Sequence, residues 1–236
     1  MTSAETAPEA LQRELRIAAR ALARGNLVHA YGHCSVRLDA GRFLVCAPKP
    51  MGTIGAADAG TVVPIAGPLP EGVLGEVRIH QQVYQQRRDV GAIARIMPPN
   101  VGLLALLRRT PRPRHGFGAY FAPHPPLWDD PRLLRDDAAA ARLADTLGER
   151  NAIVMRANGA VVVGETLVEA VAISWFLEEA ARVEVGLMQM GRDGDDTLLD
   201  EEEVLARQVT AGRVYERMWE YLSHGDPECA GDAAKR

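Results

Sequence analysis

The chain has 236 residues, 47% of them hydrophobic, which suits one domain, or one domain with an added helical tail, around a large core. A formal net charge of -4 with 25% charged residues argues against a basic nucleic-acid surface, and no apolar run approaches the length of a membrane span. Three cysteines without paired spacing, Cys34, Cys46 and Cys229, read as reduced thiols of a cytoplasmic protein, and the acidic N-terminal stretch does not read as a secretory signal.

Residues 8–24 carry Leu11, Leu15, Ile17, Ala18 and Leu22 at helical spacing, stopped by Gly25 and Asn26. Residues 35–38 and 43–46 read as a hairpin around Asp39-Ala40-Gly41. Residues 47–60 are too rich in proline and glycine to be regular, and 61–65 is a further short strand. Residues 76–87 form a helix with Val77, His80 and Tyr84 on one face, and 90–97 a central strand ended by Pro98 and Pro99. A short helix spans 101–108. Residues 108–126 are irregular and too long for a routine connector, so they read as a functional loop.

A helix is expected from Asp130 to Leu147. Strands at 153–156 and 160–163 flank Ala157-Asn158-Gly159, a strong turn signal. Thr166, with Glu169 three residues on, has the capping-box spacing and opens a long apolar helix to about Met190. A last helix is expected over 201–222. The irregular alternation predicts a three-layer α/β/α fold around a mixed or mostly antiparallel sheet, as a single domain over 1–222 with a flexible tail over 223–236.

Four segments carry the residues able to do chemistry. Glu76 and His80, four apart, face the same way; they can pass a proton or simply form a surface pair. Arg95 stands in an otherwise apolar strand. It either pairs with a carboxylate such as Glu76 or grips an anionic substrate. Arg108, Arg109, Arg112 and Arg114 precede His115 and the aromatics up to Tyr120, as an anion-attracting rim or a solvated loop. Cys34 beside His33 is not a catalytic pair, since neighbouring strand residues point to opposite faces. No phosphate-binding loop or clustered metal-ligand spacing occurs.

Taken together, Gly32-His33-Cys34-Ser35-Val36-Arg37, the Glu76/His80 helix with Tyr84, the segment 87–92, and Ala157-Asn158-Gly159 with its following strand resemble the class II aldolase/adducin family over roughly residues 8–190. The histidine of the first motif looks more like the decarboxylase and adducin-like members than the sugar-phosphate aldolases. The resemblance implies a divalent cation held by three histidines, whose positions here fall on Arg95, Met97 and Asn158, with Glu76 alone kept. No metal or other cofactor is therefore expected.

What the resemblance implies is a metal-independent carbon–carbon lyase, a decarboxylase of a small hydroxylated aromatic or heteroaromatic carboxylate. Glu76, His80, Arg95 and His115 are its expected catalytic residues; His33, Ser35, Asn158, Tyr120 and Arg114 would bind the substrate. A metal-independent dehydratase, isomerase or cyclase, and a catalytically silent adducin-like interaction protein, stay open as alternatives. The expected partner is a small anionic molecule, with neither nucleic acid nor membrane, and the expected assembly is a homotetramer.

Overall fold

The computed structural model describes residues 7–229. Helix α1 (Glu9–Arg24) leads into strands β1 (His33–Arg37), β2 (Arg42–Val45) and β3 (Thr61–Pro64), then helix α2 (Arg78–Gln86), strand β4 (Ala92–Ile96) and helix α3 (Pro99–Leu106). Strand β5 (Leu127–Trp128), helix α4 (Asp137–Leu147), strands β6 (Ala152–Met155) and β7 (Ala160–Gly164) and helices α5 (Leu167–Gln189), α6 (Glu201–Arg207) and α7 (Val214–Ser223) complete the chain. The strands form one seven-stranded open sheet in the order β3-β2-β1-β4-β7-β6-β5, antiparallel except where β5 runs parallel to β6. With helices on both faces it is the expected three-layer α/β/α architecture.

Strand alternation sets the layers. Cys34, Val36, Ala92, Ala94, Ala160 and Val162 point to one core, which α1, α3, α5 and α7 cover. Ile93, Val161 and Val163 point to the other, under α2 and α4. His33, Ser35 and Arg95 fall on this second face by the same alternation, and His33 is the register partner of Arg95. The second face is thus apolar along most of its width and polar at one end of its central strands.

Several boundaries differ from those the sequence suggests. Helix α4 starts at Asp137, capped by Asp136, whose side chain accepts from the Ala139 N–H at 2.8 Å. Asp130 instead closes a local turn on Arg132, and the chain before it forms the unexpected β5. Helix α3 opens two residues early, because Pro99 is well placed at a first helical position, where no N–H is needed. The expected last helix is two, α6 and α7, separated around Gly212 and Arg213, both at positive φ.

The segment after Ser223, expected to be a flexible tail, is anchored as far as Cys229. Arg20 holds Asp226 with two bonds of 2.7 Å, and Arg16 and Arg20 reach Glu228 at 2.7 and 2.8 Å. Residues 230–236 lie outside the described residues. Among the described residues, no helix is long and apolar enough to cross a membrane.

Candidate functional site

At the polar end of β1 and β4 the structure opens a cavity of about 610 Å³. Its inner wall holds His33, Glu76, Arg95 and Asn158, four of the nine residues singled out in the sequence. Each comes from a different element. Arg95 is the penultimate residue of β4, His33 opens β1, Glu76 lies in the single 3-10 turn leading into α2, and Asn158 tips the β6–β7 hairpin. That hairpin presses against the end of β4. A Cβ at Gly159, whose φ is +71, would stand 2.0 Å from the Ile96 carbonyl oxygen, so only glycine lets Asn158 come this close.

Three of these side chains close into a ring of hydrogen bonds. Arg95 Nη2 donates to Asn158 Oδ1 at 2.6 Å and to Glu76 Oε2 at 3.3 Å, and Asn158 Nδ2 donates to Glu76 Oε1 at 3.0 Å. Arg95 Nη1 donates to the Ile96 carbonyl at 3.1 Å, while its Nε has no partner. Arg95 is only 2% exposed, and burial lowers its pKa against the opposing pull of Glu76. Of the two roles open to Arg95, pairing with Glu76 is therefore realised, at a position that still faces the cavity. The Glu76 side chain is 20% exposed, the most accessible of the three.

His80 and Ser35 stand behind the wall rather than in it. Both are fully buried; His80 Nε2 lies 2.9 Å from His33 Nδ1 and its Nδ1 2.6 Å from Ser35 Oγ, which also meets the Tyr84 hydroxyl at 2.9 Å. Burial, reinforced by the Arg95 charge, pushes His80 down to about 3. His33 is driven well below the ordinary imidazole range by burial first, then by His80 and Arg95. Both rings are neutral at pH 7.

His115, Arg114 and Tyr120 are not part of this cavity. The loop that carries them packs along α5 and the 193–197 segment, and the four arginines that looked like an anion-attracting rim are paired internally. Arg108 binds Asp129, Arg109 binds Asp193, Arg112 binds Asp195, and the buried Arg114 binds Glu184 and Thr197. Tyr120 donates to the Val209 carbonyl, and His115 packs edge-on against Phe117 with its pKa lowered mainly by burial. This loop straps the helical layer. Composition reveals its charge but not the carboxylates far along the chain that balance it.

The mouth of the cavity holds residues that the sequence reading passed over as site residues. Tyr31 is 70% exposed, Lys49 is tied to Asp58 at 2.5 Å, and Arg135 reaches in from the stretch before α4. Tyr31 directly precedes the glycine-containing motif that starts at Gly32, whereas Arg135 was hidden by the helix expected from Asp130. Cys34 is buried, and its thiol is pushed well above its usual value by Cys46 and by burial, which fits an inert thiol.

The residues present do not fit the divalent cation that the resemblance implies. One carboxylate, Glu76, already accepts from Arg95 and Asn158, the Asn158 oxygen accepts from Arg95, and what remains nearby is the Met97 thioether and a single imidazole, His33. A guanidinium cannot ligate, and its charge repels a dication placed among these atoms. Among the described residues, no group of three or more His, Cys, Asp or Glu side chains could hold a metal ion.

The fold and the site can be set beside known proteins. The chain is similar to L-fuculose-1-phosphate aldolase from Thermus thermophilus, at 27% identity and a TM-score of 0.69, over 78% of this chain and 97% of that one. It is similar to YgbL, a putative aldolase/epimerase/decarboxylase from Klebsiella pneumoniae, at 25% identity and 0.69, over 86% and 100%. L-fuculose 1-phosphate aldolase from Glaciozyma antarctica shares the fold at 19% identity and a TM-score of 0.78, over 95% and 92%. A search of curated proteins finds no match. The family described as class II aldolase and adducin N-terminal domain matches residues 13–185, which includes every wall residue of the cavity named above. By this match, which spans well over half of its residues, the chain belongs to the class II aldolase and adducin family.

Proposed function

We propose that the protein is a metal-independent carbon–carbon lyase, a decarboxylase acting on a small hydroxylated aromatic or heteroaromatic carboxylate. The observation that supports this most is the buried Arg95 guanidinium at the cavity wall, bound to Glu76 and Asn158. Breaking the bond to a carboxylate leaves an electron pair on the substrate as an enolate-type anion, releases carbon dioxide and requires one proton at carbon. Arg95 supplies fixed positive charge beside that anion, taking the electrophilic role that a metal has elsewhere. Asn158 adds a hydrogen bond. Glu76, the most accessible member of the ring, passes the proton from solvent. Tyr31, Leu74, Met97 and Leu133 give the cavity walls that suit a flat ring, and Lys49 and Arg135 offer positive charge to an anionic group.

The test is a screen of hydroxybenzoates, pyridine carboxylates and sugar phosphates, comparing wild type with Arg95→Met and Glu76→Ala. Each substitution is expected to lower kcat/KM at least about tenfold, near 1.4 kcal/mol of transition-state stabilisation. Turnover that neither substitution alters by that much removes the site from this reading.

One observation favours a second reading. The Arg95 charge is already balanced by Glu76 without a ligand. A screen that finds neither binding nor turnover supports a catalytically silent, adducin-like interaction protein. Assembly into a cytoplasmic homotetramer belongs to the same proposal; light scattering that gives the mass of a single chain would remove it.

A further inference from the structure

Glu76, His80 and Tyr84 follow at steps of four, while His33 and Ser35 alternate onto the sheet face beneath. Their contacts form one unbranched chain leading away from the cavity, from His33 Nδ1 to His80 Nε2, from His80 Nδ1 to Ser35 Oγ, and from Ser35 Oγ to the Tyr84 hydroxyl. All four side chains are buried. A neutral imidazole carries one ring proton, so a ring bonded at both nitrogens donates on one side and accepts on the other.

The chain therefore has two polarities. In the first, Tyr84 donates to Ser35, Ser35 donates to His80 Nδ1, and His80 Nε2–H donates to His33 Nδ1. His33 is then left with its proton on Nε2. In the second, every proton points the other way and the last one, on Tyr84, has no acceptor, because Ser35 Oγ is the one partner of that hydroxyl among the described residues. Each polarity thus leaves one proton unmatched, on His33 Nε2 in the first and on the Tyr84 hydroxyl in the second; His33 stands at the cavity wall, where a ligand oxygen can accept that proton, so the first polarity prevails.

We propose that this relay holds His33 in the Nε2–H tautomer, so that it serves the cavity as a hydrogen-bond donor to a substrate oxygen and not as a base. A second observation supports a donor there. His33 Nε2 is buried without a partner, and so is Nε of Arg95, its register partner on the neighbouring strand. Two unpartnered N–H groups on adjacent strands suit one oxygen of an anionic intermediate, which a small shift on binding would bring within reach. His33 is then a catalytic residue. His80, Ser35 and Tyr84 are positioning residues that act only through it. The identity of the substrate oxygen rests on the function proposed above; the tautomer does not.

The experiment is NMR of the full chain carrying nitrogen-15 histidine, with no substrate present, between about pH 6 and 8, where these neutral rings keep one proton each. His33 and His80 are both expected as Nε2–H tautomers, with a scalar coupling across the bond from His80 Nε2 to His33 Nδ1. A proton on Nδ1 of either ring overturns the proposal. In Ser35→Ala both polarities leave His80 Nδ1 unpartnered, and His33 is expected to become a mixture of tautomers. A pure Nε2–H His33 in that variant would mean that the relay does not set the polarity. If Ser35→Ala does not fold, the wild-type spectrum alone still decides. A failed substrate screen would leave this result standing, and a contrary spectrum would leave the screen standing.

Discussion

Arg95 and Glu76 are unequal partners, and stability measurements should show it. Glu76→Ala leaves a guanidinium 2% exposed with only Asn158 and a carbonyl, and a buried charge stripped of its counterion costs about 3–5 kcal/mol. Arg95→Met removes the buried charge and leaves Glu76, which reaches water. Urea unfolding should therefore show Glu76→Ala as the more destabilised of the two, and the opposite order would mean that Arg95 draws its compensation elsewhere. The two buried histidines give a further prediction. Their folded pKa values lie below the unfolded value of 6.5, and the unfolded chain binds more protons in that interval. Their contribution to stability is whole above about pH 6.5 and falls as the pH drops toward the folded values, by about 1.4 kcal/mol per pH unit per ring. Unfolding midpoints measured from neutral to acidic pH should fall accordingly, and less steeply in His80→Gln. Equal slopes would show that His80 is not buried neutral. At this scale the sequence exposed Arg95 and Asn158, because a charged residue in a strand and an Asn-Gly turn stand out locally. It could not show that His80 backs the wall while His33 faces the cavity, which depends on the β1–β4 register.

Among the elements, strands and caps were legible where the pattern is local: the β6–β7 hairpin, the Thr166 cap of α5 and the alternation of β1 and β4 all follow from short-range spacing. Elements governed by distant partners were not. The loop over 108–126 looked functional because it is too long for a routine connector, while the carboxylates that tie down its arginines lie outside it, and the segment past Ser223 looked loose because its acids pair with α1, more than two hundred residues away. Asp226 is 1% exposed and Arg20 8% exposed, so Asp226→Ala should destabilise the protein by about 3 kcal/mol by leaving Arg20 buried without its bidentate partner. Calorimetry would check this; an unchanged melting temperature would mean that Glu228 alone suffices.

For the whole molecule, an open, mostly antiparallel sheet between two helical layers leaves one end of its central strands uncovered, and the cavity lies there. Four elements that are remote in sequence each deliver one wall residue, and the family match spans all four. The donors in this cavity suit an organic anion better than a dication. Elemental analysis of protein purified without added metal tests this most directly. The account predicts no stoichiometric manganese, zinc, iron or magnesium, and one firmly bound metal ion per subunit would contradict it.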